Sequence, residues 1–117
     1  MKIISENTPI TELKSMALAM FGNLVKAVVD IEKEIMAVDG ELHSDEEALL
    51  LENGSEQDNL WGINIYPDLQ ANERIEFDSM INLKPRLNNR TRNVDSPEIR
   101  DKIIKIINKL IKDESTA

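Results

Sequence analysis

Two periods of apolar residues alternate along the chain. Between residues 8 and 22, Leu13, Met16, Ala17, Met20 and Phe21 recur at three- and four-residue steps, the spacing of one helix face. Thr8 fits the N-cap, Pro9 fits the first helical position, where its missing N–H costs nothing, and Gly22 follows as the stop. The period then shortens to two. Val25, Ala27, Val29 and Ile31 alternate with Lys26, Val28 and Asp30, which predicts a strand with one well-buried face. "EIMAV" continues beyond the charged pair Glu32-Lys33. The two runs read as a hairpin, although the turn lacks the favoured glycine or asparagine. "KII" at residues 2–4 is short enough for an edge strand.

The next segment, "SDEEALLLENG", is punctuated as a helix. Ser44 and Glu47 stand at capping-box spacing and Asn53-Gly54 supplies the stop. "LWGINIY" and "RIEFDSMINLK" then predict a second strand pair joined by the surface connection "PDLQANE". Trp61, Ile63 and Ile65 share one parity, as do Ile75, Phe77, Ile81 and Leu83; Asn64, Tyr66, Glu76, Asp78, Met80 and Asn82 occupy the other. The last helix is the most sharply written. In "SPEIRDKIIKIINKLIKD", Ser96 caps, Pro97 opens the first turn, and Glu98 and Asp101 complement the positive end of the helix dipole. Ile99, Ile103, Ile106, Ile107, Leu110 and Ile111 form the apolar stripe.

These elements define an α+β fold. The expectation is a single small domain, residues 1–112, with a mainly antiparallel sheet of about four to five strands. The N-terminal and C-terminal helices would pack on one face, and residues 113–117 would form a frayed tail. The opposite face would display Asn64, Tyr66, Glu76, Asp78 and Asn82.

Composition narrows the function classes. The chain has 117 residues, no cysteine and a formal net charge of −8. Neither a disulfide framework nor a thiolate metal site is available. With no signal-peptide pattern in "MKIISENTPI" and no membrane-length apolar run, the expected location is cytoplasmic. An isoelectric point near 4.6 disfavours nucleic acid and anionic membrane as partners, since both need a positive field. The charge is nonetheless polarised. Residues 39–58 hold eight acids and no lysine or arginine, whereas residues 79–94 hold four bases and no acid.

The string "VKAVVDIEKEIMAVDGELHSDEEALLLENGS", continued by "LWGINIYP", "IEFDSMINLKP" and "NRTR", resembles a family of small prokaryotic proteins known only as a domain of unknown function. The likeness runs over residues 10–112 and is most specific in "GELHSDEEALLLENGS" and "LWGINIYP". It implies one intact domain and brings no activity, cofactor or partner with it.

Three groups of residues carry candidate chemistry. In "LKPRLNNRTRN", Lys84, Arg86, Arg90 and Arg92 supply cations, and Asn88, Asn89 and Asn93 add neutral donors, as an anion site requires. The competing reading is internal: the same cations pair with the acidic segment 39–58 and pin a long loop. In "DGELHSDEE", Glu41, His43 and Asp45 alternate and offer a metal-ligand set, against the plainer reading of a solvated acidic helix start. His43, the lone histidine, and Asp78 are the candidate acid–base residues. The leading expectation is a binding or interaction module that takes an anionic small molecule or an acidic protein, as a monomer or homodimer, with no cofactor. The alternative is a small metal- or His-assisted hydrolase acting on a phosphorylated substrate.

Overall fold

The computed structural model describes residues 1–113. Its elements follow the order β1 (Lys2–Ile4), β2 (Thr8–Pro9), α1 (Ile10–Ala19), β3 (Val25–Asp30), β4 (Ile35–Val38), α2 (His43–Glu52), β5 (Leu60–Ile65), β6 (Ile75–Glu76), α3 (Pro97–Leu110) and β7 (Ile111–Lys112). The main sheet is antiparallel with strand order β1-β4-β3-β5-β6. The architecture is α+β, as the alternation of periods predicts.

The sheet buries both faces. On one, Val25, Ala27, Val29, Trp61, Ile63 and Ile65 pack against Leu13 and Ala17 of α1 and Ile103, Ile107 and Leu110 of α3. Removal of this apolar surface from water is the main stabilising contribution. On the other, Val28, Ala37 and Leu60 meet Leu50 of α2. The polar face expected to lie open is thus largely roofed by α2, and β3 is buried on both sides. A helix whose apolar residues are clustered, as in the triple leucine of α2, leaves its docking face unreadable from period alone.

The hairpin turn solves its missing glycine with a carboxylate. Asp30 Oδ1 accepts from the N–H groups of Glu32 and Lys33 at 2.9 and 3.0 Å, while Glu34 takes the left-handed conformation at φ 56°. Asp30 Oδ2 accepts from the Ser55 hydroxyl at 2.6 Å, tying the turn to the chain beyond α2.

Four local expectations are corrected. Thr8 does not cap α1: with Pro9 it pairs in parallel with Ile111 and Lys112, and its hydroxyl donates to the Glu6 carbonyl. Ile111 therefore leaves the α3 stripe for β7, although it stays buried. The capping box at Ser44 and Glu47 is absent because α2 begins two residues earlier, with Leu42 at the N-cap position and no side-chain cap. The strand expected over 74–84 stops at Glu76, and residues 80–82 form a 3-10 turn capped by the Ser79 side chain.

What replaces that strand positions the site. The Asn82 side chain binds the Gly62 backbone like a strand neighbour, its Oδ1 accepting from Gly62 N at 2.8 Å and its Nδ2 donating to Gly62 O at 3.0 Å. A main-chain ladder is thereby continued by one side-chain amide. Only glycine fits there, since a Cβ on Gly62 would lie 2.5 Å from Ser79 Cβ and Oγ. Asn82 and Ser79 hold residues 78–82 hard against β5. Of the expected tail, Asp113 pairs with the buried Arg74 at 2.6 Å; the remainder, 114–117, lies outside the described residues.

Candidate functional site

The basic segment folds mostly into itself. Asn89 Nδ2 donates to the carbonyls of Asn82, Thr91 and Asn93 at 2.7, 3.1 and 2.7 Å, and its Oδ1 accepts from Asp95 N at 2.7 Å. Lys84 is buried, donates to Gln57 O at 3.0 Å and stands 5.5 Å from the Trp61 ring centre. Burial draws its pKa down, against the pull of Glu47 and Asp58. Arg86 pairs with Asp58 of the acidic segment. Asn88 adopts the left-handed conformation that ends a 3-10 turn. The side chain of Arg90 makes no hydrogen bond among the described residues. Arg92 turns away from the acidic segment, and its Nε donates to Asp78 Oδ1 at 2.6 Å.

Arg92 and Asp78 lead to the site. Together with His43 and Lys26 they line a cavity of about 280 Å³, completed by Leu42, Ser44, Asn64, Ser79, Met80 and Ile81. Each side comes from a different element. Lys26 and Asn64 face one another across β3 and β5. Leu42, His43 and Ser44 bring the amino end of α2, where the helix dipole favours negative charge. Asp78, Ser79 and Arg92 come from the segment that Asn82 and Asn89 hold in place. Leu42 and Met80 are large exposed apolar side chains on this lining.

His43 is fixed by one bond. Its Nε2 lies 2.8 Å from Ile63 O, and a carbonyl can only accept, so Nε2 carries the proton. Burial lowers the His43 pKa below 6.5; the Ile63 bond and Asp78 oppose the shift, while Lys26 and Arg92 reinforce it. At neutral pH the ring is therefore neutral, and Nδ1 is a lone-pair acceptor. Nδ1 makes no hydrogen bond among the described residues, yet it is not a buried unsatisfied atom. It is open to a partner that can donate.

Lys26 is the cation left over. Its Nζ lies 5.3 Å from the Phe21 ring centre and makes no ion pair among the described residues. The acid electrostatically coupled to it from α2 is Glu46, which is fully buried. Glu46 Oε2 accepts from Gly40 N at 3.0 Å and Oε1 has no partner. Burial pushes this carboxyl up to about 9, so Glu46 is protonated at neutral pH and leaves the Lys26 charge uncancelled. The pocket lining then holds two cations, Lys26 and Arg92, against the single carboxylate of Asp78.

Deeper in the wall, Asn64 Nδ2 donates to Glu76 Oε1 at 2.8 Å, which also accepts from the Tyr66 hydroxyl at 3.1 Å. Tyr66 is half-buried, and burial followed by Glu76 raises its pKa. Asn64 Oδ1 is buried without a partner. Two other openings are less reactive. Beside Arg74 the guanidinium is committed to Asp113 and Leu69 O, and beside Asp30 both carboxylate oxygens are bonded.

His43 and Asp78, chosen for acid–base chemistry and separated by much of the sequence, meet in this one cavity. Glu41, His43 and Asp45 do not converge, and among the described residues no group of three His, Asp or Glu side chains could hold a metal ion. Sequence reasoning puts Asn64 on the polar sheet face without a role of its own and does not single out Lys26. The signal for Lys26 was its place as the lone cation within the alternating strand of residues 25–30.

These features describe a small α+β protein with a cationic pocket at the amino end of a helix lying across its sheet. The chain belongs to DUF5674, a protein family of unknown function whose model matches residues 2–110. No curated protein and no solved structure matches the chain. Among the described residues no helix is long and apolar enough to cross a membrane.

Proposed function

We propose that the protein is a binding module for a small anionic ligand, held in the pocket between α2, β5 and residues 78–81. The observation that carries this reading is Lys26, a half-buried cation in the lining that has no ion pair and whose neighbouring acid is kept neutral by burial. Arg92 supplies the second cation. With Nε engaged by Asp78, its terminal nitrogens remain for an anion. Arg86 and Lys84 belong to the brace that supports the pocket rather than to the ligand contact. The lack of cysteine fits a cytoplasmic setting.

Amide-resolved NMR titration with inorganic phosphate and with acetate tests the reading. Saturable shifts at Lys26, His43, Ser44 and Arg92, lost in Lys26→Met, are expected. Shifts confined to residues 84–90, or none beyond uniform charge screening, would reject it.

The second reading, a small hydrolase of phosphorylated substrates, draws on the free Nδ1 of His43. A neutral imidazole with a bonded Nε2–H can take a proton from an attacking water while Arg92 and Lys26 hold the phosphoryl oxygens. Turnover of p-nitrophenyl phosphate that is undiminished in His43→Ala, or no turnover at all by the wild type, would remove it.

A further inference from the structure

The pocket offers more than positive charge. His43 is oriented by its Nε2–H bond to Ile63 O at 2.8 Å, so the nitrogen left for a ligand is a pure acceptor. Asp78 uses Oδ1 for Arg92, and Oδ2 makes no hydrogen bond among the described residues. A simple anion satisfies Lys26 and Arg92 but sets its own lone pairs against both of these acceptors. An anion with an adjacent O–H or N–H satisfies both cations and gives His43 Nδ1 the donor it lacks. An unmade bond at such a half-buried site costs affinity because the acceptor gives up water without a replacement.

We infer that the ligand is a hydroxyl- or amino-bearing anion, its charge at Lys26 and Arg92 and its donor at His43 Nδ1. Hydroxycarboxylates and phosphorylated polyols share this chemistry. The cavity, about 280 Å³, suits a molecule of that small size. The inference rests on the proposed anion pocket and specifies which anions it selects.

The experiment uses the full chain and two matched pairs of probes, lactate against 2-methoxypropionate and glycerol 1-phosphate against its di-O-methyl ether. Affinities come from calorimetry and from amide shifts at His43. In at least one pair the donor-bearing member should bind about tenfold more tightly, the worth of one good hydrogen bond. The preferred pair identifies the anionic group. His43→Phe should erase the preference while retaining charge-dependent binding, with amide spectra confirming the fold. In the wild type, ring nitrogen shifts should show Nε2 protonated and Nδ1 bare. Equal affinities within both pairs, with binding still dependent on Lys26, would overturn the donor inference and leave the anion pocket standing. Absence of Lys26-dependent binding for all four probes would overturn both. A protonated Nδ1 in the free protein would overturn the inference by itself.

Discussion

The loop of residues 83–93 and the pocket at the amino end of α2 differ in how their charges are spent. The loop concentrates cations in sequence, yet Lys84 is sunk over Trp61 and Arg86 is paired with Asp58. Asn89 binds four backbone groups and turns the loop into a brace. The pocket is sparse in sequence. Lys26, His43, Asp78 and Arg92 come from four separate stretches, and each keeps a polar group without a hydrogen bond or ion pair among the described residues. Local charge density thus marks a segment that must be neutralised, whereas chemistry is available where neutralisation is incomplete. Arg92 belongs to both regions and joins them.

The largest expected effect concerns Glu46, since its neutrality is what leaves Lys26 unmatched. A carboxyl at about 9 in the folded chain against 4.5 when unfolded holds its proton longer in the native state. The contribution of Glu46 to stability is therefore fully present below about 4.5 and is lost as pH rises towards about 9, by at most about 6 kcal/mol. Denaturant midpoints taken across that range should slope downward in the wild type and flatten in Glu46→Gln. A flat wild-type profile would mean that Glu46 ionises readily and can cancel Lys26, which removes the contrast between the two regions. His43 acts in the opposite direction. Its lowered pKa contributes stability that is lost as pH falls below 6.5.

Next in size is the brace. Asn89→Ala leaves three carbonyls and one N–H without their partner, a loss of about 2–4 kcal/mol. Urea denaturation measures it directly. Under about 1 kcal/mol, the loop would be a passive surface and its cations available after all.

The third comparison is between cations. Lys26→Met should weaken phosphate or carboxylate binding tenfold or more, about 1.4 kcal/mol, with stability little changed. Arg86→Ala and Arg90→Ala should alter that affinity less than about twofold. Reversal of this order would return the ligand contact to the loop. The smallest effect is that of Arg86→Ala on stability. Its pair with Asp58 is largely exposed, so a change below about 1 kcal/mol is expected in the same urea experiment.

Much of the fold was legible because its signals are local. Period-two alternation placed β3 and β5, the apolar run after Glu32-Lys33 placed β4 as its hairpin partner, and the Ser96-Pro97 start and the isoleucine spacing placed α3. The failures share one cause. Residues 77–84 carry strand-like alternation, but Asn82 completes the sheet edge with its side chain, and no propensity encodes that substitution. Thr8 looks like a cap until Ile111 supplies a parallel partner from the far end of the chain. The candidate site was half legible: His43 and Asp78 stood out by residue type, whereas Lys26 showed only as a lone cation within an alternating strand.

By itself the sequence determined the element types, the α+β class and the polarity of charge, because periodicity, caps and composition act over a few residues. Tertiary structure alone decided which charges meet. Glu46 is neutral because α2 presses it against Gly40, Lys26 is unmatched because Glu46 is neutral, and His43 is a bare acceptor because Ile63 holds its other nitrogen. Each of these depends on desolvation and on contacts between distant segments, quantities that come into being only when the chain has closed on itself.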